Sequence, residues 1–324
     1  MCPKPHLALL FSLGFAVLAI AHPTCRERLT EQAWKYHETS QRKTLIGKEL
    51  YRPEALQRVA EKALSLKGSG EGPILSIVIP AYRESARIAP SIEALKDFLA
   101  DYPIDAEIII VTQHPPGEAP DRTFDIALRR VSDDSRFQVI KLEEKGKGLG
   151  VRKGMEQAKG DYVLFMDADL STPLVEILSF LSYFVDHPQT DVLIGSRTYA
   201  PDYFERSPLR NLISFGNQQL RKLLINLDQF DDTQCGFKAF SKNAAQEIFS
   251  RQKNNGFLFD LEVLLLAQEM NFKMNSLEVQ WFDEPEFSTV DARKEISGML
   301  RDLTQVKALV ERTLEEQPYQ PNQP

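Results

Sequence analysis

From residue 74 onward the chain alternates two kinds of apolar pattern. Short continuous runs, ILSIVI (74–79), EIIIV (107–111), FQVIKL (137–142), DYVLFM (161–166) and DVLIGS (191–196), have the length and β-branched content of buried strands. Between them apolar residues recur three and four apart, as on the buried stripe of a helix. Ile88, Ile92, Leu95 and Leu99 follow the first run, a helix ending near Ala158 follows the third, and another near 173–185 follows the fourth. Later come a helix around 260–270, a strand near 277–282 and a final helix of roughly 291–312, and EEQPYQPNQP at the end reads as a disordered tail. Residues 24–72 are polar apart from one helix over 53–66, where Leu56, Val59, Ala60, Ala63 and Leu64 form a stripe and Pro53 suits the first turn. GSGEGP (68–73) then reads as a linker.

Strands alternating with helices imply parallel βαβ units with right-handed crossovers, an α/β fold whose post-strand loops gather along one sheet edge. Ligands bind at that edge. The segments after Ile79, Val111, Leu142 and Met166 are therefore expected to share one site.

Composition narrows the possibilities. A chain of 324 residues with 43% hydrophobic residues can bury a substantial core. A net charge of −7, with no long basic stretch to offset it, argues against nucleic acid as a partner. Cys2, Cys25 and Cys235 are odd in number and far apart, without zinc-like spacing, and read as free thiols. HLALLFSLGFAVLAIA (6–21) is uncharged, short for a membrane crossing, and ends in an Ala-Ile-Ala that resembles a signal-peptidase site. A cleaved signal peptide and an uncleaved anchor both fit it.

The sharpest chemical feature is FMDADLSTP (165–173). Asp167 and Asp169 follow directly on a buried strand, and Ala168 between them lets the backbone approach a ligand. Hard carboxylate oxygens in such a place suit Mg²⁺ or Mn²⁺ bound together with phosphate oxygens. A strand-ending turn capped by Asp would look the same. EEKGKGLGVRKG (143–154) combines three close glycines with Lys145, Lys147, Arg152 and Lys153 beside a helix start, a combination that fits an anion site, although a solvated flexible loop would look similar. IPAYRES (79–85) brings Tyr82 and Glu84 to the end of the first strand.

In combination, SIVIPAYRE, GKGLGVRKGMEQAKGDYVLFMDADLSTP, GSR (195–197), RSPLRN (206–211), DTQCGFKAF (232–240) and GFLFDLEVLLLA (256–267) resemble family 2 glycosyltransferases, most of all the dolichyl-phosphate β-glucosyltransferase branch. The resemblance covers about residues 74–310. It implies a GT-A fold, a Rossmann-like and mostly parallel sheet flanked by helices, and an inverting transfer of a hexose, glucose first, from a UDP-sugar to a polyprenyl phosphate. By position, it places Pro80, Tyr82, Glu84, Gln113, Lys147, Arg152, Asp167 and Ala168 around the nucleotide sugar. Asp167 and Asp169 would hold Mg²⁺ or Mn²⁺, and Arg206, Arg210, Gln234 and Lys238 would meet the acceptor, with the two arginines taking its phosphate. Cys235 and Phe237 are expected to pack. RSPLRNLISFGNQQLRKLLINL interleaves leucines with basic residues, as a helix at an acidic membrane surface does. The resemblance favours an anchor at the N-terminus and a catalytic domain on the cytosolic face, at the endoplasmic reticulum in a eukaryote or the inner membrane in a bacterium. The domain layout is then 1–23 anchor or signal peptide, 24–72 polar extension and linker, 73–290 GT-A domain, and 291–324 helix and tail.

The second strand departs from the family pattern. It normally ends in an aspartate pair, where this chain has Thr112, Gln113 and His114, and Arg83 stands at a usual Asn position. Near the C-terminus, Phe287, Ser288 and Thr289 replace Gly-Ser-Lys. A neutral partner in place of a charged one costs about 1.5 to 3 kcal/mol. Two hypotheses follow: a transferase with an altered nucleoside pocket, or a catalytically weak relative acting as a membrane-associated binding or scaffold protein.

Overall fold

Alternate residues of the central strands face opposite sides of one sheet, and both sides are covered by helices. The computed structural model describes residues 53–199, 227, 229–230, 232–282 and 292–320. In order these form α1 (Pro53–Leu64), β1 (Leu75–Tyr82), α2 (Ile88–Asp101), β2 (Ala106–Gln113), α3 (Thr123–Arg130), β3 (Phe137–Leu142), α4 (Lys147–Gln157), β4 (Tyr162–Met166), α5 (Glu176–Asp186), β5 (Val192–Tyr199), β6 (Phe237–Ser241), α6 (Lys242–Arg251), α7 (Phe259–Glu269), β7 (Met274–Trp281) and α8 (Ala292–Glu316). The seven strands lie in the order β3-β2-β1-β4-β6-β5-β7. All neighbours are parallel except β6, which runs antiparallel to both β4 and β5. This is the expected α/β, mostly parallel architecture.

Period-two alternation divides the core. Ile77, Ile79, Ile108, Ile110, Leu164 and Met166 enter one apolar cluster with α1, α2 and α5. Val78, Ile109, Val111, Val163 and Phe165 enter the other with α4, α6 and α7. Strands buried on both faces have no polar side, which is why they read as unbroken apolar runs.

Three differences from the sequence reading have physical causes. The 68–73 stretch is held rather than free, because the Ser69 hydroxyl and amide both donate to Asp161, at 2.7 and 2.5 Å. The last helix continues to Glu316, and Tyr319 packs on Phe272 with ring centroids 5.3 Å apart, so residues 317–320 do not behave as a disordered tail. The strand β6 and the helices α3 and α6 were not anticipated. Among the described residues no helix is long and apolar enough to cross a membrane. The 6–21 segment, Arg206, Arg210 and Phe287 to Thr289 lie outside the described residues.

Candidate active site

Strand order reverses between β1 and β4: the chain moves outward from β1 through β2 to β3, then returns to β4 on the other side. Such a switch point opens a crevice at the carboxyl ends of the two strands. Tyr82, Arg83 and Glu84 end β1, and Asp167 to Asp169 end β4, so these segments converge there.

The β4 turn is fixed from several sides. The Asp167 amide donates to the Gly236 carbonyl at 3.2 Å, Ser91 Oγ donates to the Ala168 carbonyl at 2.6 Å, and the Ser171 amide donates to Asp169 Oδ1 at 2.9 Å. Asp169 therefore also serves as the turn cap that the sequence allowed as its plain reading. The Asp167 carboxylate lies against Gly236, where an added Cβ would come 2.0 Å from Oδ2. Lys147, the first residue of α4, places Nζ 2.7 Å from Asp167 Oδ1.

The glycine-rich loop does a different job from the one its composition suggests. The Gly148 and Leu149 amides, the helix-start donors expected to cradle an anion, donate to the Gly256 and Asn255 carbonyls, both at 3.3 Å. Gly148 lies so close to α7 that a Cβ would sit 2.5 Å from Phe259 Cβ. Glycine at 148 thus allows two helix starts to touch. Arg152, expected near the donor, reaches the Gln252 carbonyl at 2.6 Å and Asn255 Oδ1 at 3.0 Å. Gln113, expected to replace a nucleoside-binding aspartate, is buried, and its Nε2 donates to the Gly146 carbonyl at 2.7 Å. Both side chains brace the loop.

At the other end of the crevice the 114–122 loop folds toward β1. Glu118 accepts from the Tyr82 hydroxyl at 2.6 Å and pairs with Arg83 at 3.2 Å and Lys145 at 3.6 Å. The Lys145 ammonium stands 4.5 Å from the Tyr82 ring centroid. Arg83 takes φ 56°, the left-handed region that Asn tolerates better than Arg. Glu84 is gripped by Arg87 through two bonds of 2.5 Å. Burial pushes its carboxyl up to about 7 against the pull of Arg87, with the charges of Asp169 and Asp167 adding to the rise. Pro80 is half-buried and lies under Gly150.

Within DTQCGFKAF, Asp232 is clamped by Arg197 at 2.5 and 2.9 Å, and Arg197 lies over Trp281. Gln234 is half-buried beside it. Cys235 and Phe237 pack as expected, and burial pushes the Cys235 thiol up to about 12. Lys238 differs from expectation. Its side chain is 0% exposed, bonded to Asp260 Oδ1 at 2.5 Å and to the Cys235 carbonyl at 2.7 Å, so it cannot meet an acceptor as placed. Glu118, Gly236 and Asp260 are site residues that the sequence reading missed. Asp260 alone left a signal, as an acid inside the apolar run GFLFDLEVLLLA.

The donor set suits a divalent cation only in part from protein. Among the described residues no group of three His, Cys, Asp or Glu is arranged to hold a metal. Two hard carboxylates, Asp167 and Asp169, end the same strand, and Lys147 already brings one positive charge to Asp167. The mutual repulsion felt at Glu84 marks the corner as rich in negative charge. Mg²⁺ or Mn²⁺ fits that chemistry, given remaining ligands from phosphate and water.

Comparison with known proteins adds an independent line. The family model described as glycosyl transferase family 2 matches residues 76–249. The dolichyl-phosphate beta-glucosyltransferase of Dictyostelium discoideum is 28% identical over 72% of this chain and 73% of its own length. That of Homo sapiens is 29% identical over 64% and 67%. Glycosyltransferase AglD of Haloferax volcanii is 31% identical over 69% of this chain but 35% of its own. Among solved structures, glucosyl-3-phosphoglycerate synthase of Mycobacterium tuberculosis superposes with a TM-score of 0.56 at 15% identity, covering 79% of this chain and 84% of that one. At that identity the likeness concerns the fold.

Proposed function

This chain belongs to glycosyl transferase family 2, and on that premise we propose that it transfers glucose from UDP-glucose to a dolichyl-type polyprenyl phosphate with inversion, dependent on Mg²⁺ or Mn²⁺. The observation that carries the reading is the convergence of Asp167, Asp169 and Lys147 at the β1–β4 switch point. The choice of glucose and of a dolichyl acceptor rests on relatives that bear the name dolichyl-phosphate beta-glucosyltransferase.

The chemistry follows from charge. A phosphate acceptor is already ionised near neutral pH, so its oxygen attacks the anomeric carbon without a strong general base. The remaining demands are alignment and stabilisation of charge on the departing diphosphate. Lys147 supplies an ammonium at that place, and Asp167 orients it. A divalent cation held by Asp167 and Asp169 would supply further charge neutralisation there. Tyr82, Arg83, Lys145 and Glu118 form the polar wall at the β1–β2 end, where the nucleoside would lie. Arg206 and Arg210 are the groups proposed for the acceptor phosphate, and residues 6–21 and the basic, leucine-rich 206–227 stretch for the membrane, with the catalytic domain on the cytosolic face.

The test is transfer itself. Purified full-length protein with UDP-glucose, dolichyl phosphate and Mn²⁺ should yield a glucosylated lipid by mass spectrometry, and Asp169→Ala or excess chelator should cut the rate by roughly 100-fold or more. No glycolipid from the wild type across a panel of nucleotide sugars would refute the reading.

A further inference from the structure

The 114–122 loop follows the strand end where the family resemblance implies an aspartate pair, and it brings a carboxylate of its own to that end of the crevice. Its start is held by the His114 amide, which donates to the Leu142 carbonyl at 2.8 Å. Beyond that point Pro116, Gly117, Ala119 and Pro120 are exposed, and a Cβ added at Gly117 would meet nothing within 4 Å. Glu118 alone among residues 116–120 is half-buried. Among the described residues it makes every hydrogen bond and ion pair that ties 115–120 to the rest of the chain.

What Glu118 touches has the donors of an anion site. Its carboxylate accepts from the Tyr82 hydroxyl at 2.6 Å and pairs with the Arg83 guanidinium at 3.2 Å and the Lys145 ammonium at 3.6 Å. Both cations also lie over the Tyr82 ring, Lys145 Nζ 4.5 Å and Arg83 Cζ 5.6 Å from its centroid. Three donors from two segments, the end of β1 and the glycine-rich loop, thus converge on one carboxylate. Arg83 holds its place with φ 56°, backbone strain of a kind that concentrates at ligand sites. Lys145 stands two residues before Lys147, whose Nζ is 2.7 Å from Asp167, so the cluster borders the place proposed for the diphosphate. A phosphate oxygen accepts from hydroxyl, guanidinium and ammonium groups as a carboxylate oxygen does.

We propose that Tyr82, Arg83 and Lys145 form a phosphate subsite that Glu118 fills, so that an arriving nucleoside diphosphate takes these donors from the chain's own carboxylate. Glu118 is then an internal competitor, and the loop that carries it is a strap that opens as the nucleotide binds. An uncharged nucleoside offers nothing for which these cations would leave Glu118. Ion pairs between side chains this exposed, 24% for Glu118, 44% for Arg83 and 58% for Lys145, are weak singly. A diphosphate carries more charge than one carboxylate and has Lys147 beside it, so it wins the exchange. Its apparent affinity is lowered according to the fraction of molecules in which the strap is closed. In the transfer reading above, on which the kinetic part of this inference rests, the returning Glu118 helps to release the diphosphate product.

Isothermal titration of the full-length protein with UDP reads the competition without any transfer. Glu118→Gln keeps an acceptor for the Tyr82 hydroxyl and removes the charge that holds the two cations, on a loop too exposed for the change to threaten the fold. It should lower the Kd for UDP about 3- to 10-fold, as for a strap closed in roughly two thirds to nine tenths of the molecules, and leave uridine binding unchanged. Glu144→Gln, at an exposed carboxylate beside Lys145, removes the same net charge and should leave the UDP Kd near that of the wild type. In a Lys145→Met background the gain from Glu118→Gln should shrink to less than about 2-fold, because one of the cations it frees is gone. In the transfer assay Glu118→Gln should make UDP a stronger product inhibitor by a similar factor. A UDP Kd that is unchanged or raised in Glu118→Gln overturns the proposal, a rise marking Glu118 as a nucleotide contact. An equal gain in Glu144→Gln, a parallel gain for uridine, or UDP binding to neither protein overturns it as well. If the wild type transfers no sugar while Glu118→Gln tightens UDP, the transfer reading falls and the strap stands.

Discussion

Gln113 stands at the end of β2 where the family resemblance implies a carboxylate, and its amide donates to the Gly146 carbonyl immediately ahead of Lys147. An aspartate there would present an oxygen to that carbonyl and repel it. The amide at this position therefore braces the loop that carries Lys147. Gln113→Leu keeps the volume roughly and removes the donor, at a cost of about 0.5 to 1.5 kcal/mol for the bond. The expected result is a several-fold higher KM for the donor with a Tm drop of roughly 2 to 5 °C, read from steady-state kinetics and a thermal melt. Glu84 makes a second prediction at this scale. Its folded carboxyl is pushed from 4.5 to about 7, first by burial. The folded state thus holds a proton that the unfolded state releases above about 4.5. Its contribution to stability is unpenalised below pH 4.5, falls as pH rises to about 7, and is level above that. Melts of chelated protein from pH 4.5 to 8 should show this decline, at most about 1.4 kcal/mol per pH unit. Glu84→Gln should remove it, and equal slopes in the two proteins would count against the assignment.

The strand β6 and the turn before it support the β4 carboxylates as a unit. The Gly236 carbonyl takes the Asp167 amide, and the missing Cβ of Gly236 leaves room for the Asp167 side chain. Gly236→Ala must displace that carboxylate or the turn, overpacking worth about 1 to 3 kcal/mol and a Tm drop of roughly 3 to 10 °C. Transfer should fall by more than the loss of folded protein accounts for, a difference that assays at a temperature well below Tm would reveal. The same element explains what the sequence could and could not tell. The strands β1, β2 and β4 were legible because both faces are buried and their runs are apolar apart from Ser76 in β1 and Glu107 in β2. In contrast, β6 hides Lys238 in its interior, and a lysine in a short segment reads as a solvent or ligand contact until its partner 22 residues on is known. The helix α3 buries only Thr123 and Ala127, too few to make a stripe. Within the site, Asp167 and Asp169 were legible because their chemistry is adjacent in sequence. The bond from Arg152 to the Gln252 carbonyl was not legible because the two residues lie 100 positions apart.

At the scale of the molecule, the segment ahead of the sheet belongs to the folded body. Ala60 and Ala63 of α1 are buried in the same apolar cluster as Leu75 and Ile77, and Lys62 pairs with Asp186 on α5. Leu56, Val59 and Leu66 pack around them. The 68–73 strap is pinned to Asp161, whose amide and carbonyl also join Pro73 and Lys242. On the opposite face Tyr319 closes over Phe272 while Arg251 holds the Gln317 carbonyl at 3.1 Å. Two truncations then separate membrane attachment from folding. A chain starting at residue 53 keeps α1 and the strap, and its flotation with acidic liposomes should weaken relative to the full chain if residues 6–21 serve as the anchor. A chain starting at residue 73 loses the α1 packing and the Ser69 bonds, and should be less stable by about 2 to 5 kcal/mol. Equal urea midpoints for the two truncations would show that α1 rests on the domain without supporting it, and undiminished flotation of the shorter chain would move the membrane contact away from the N-terminus.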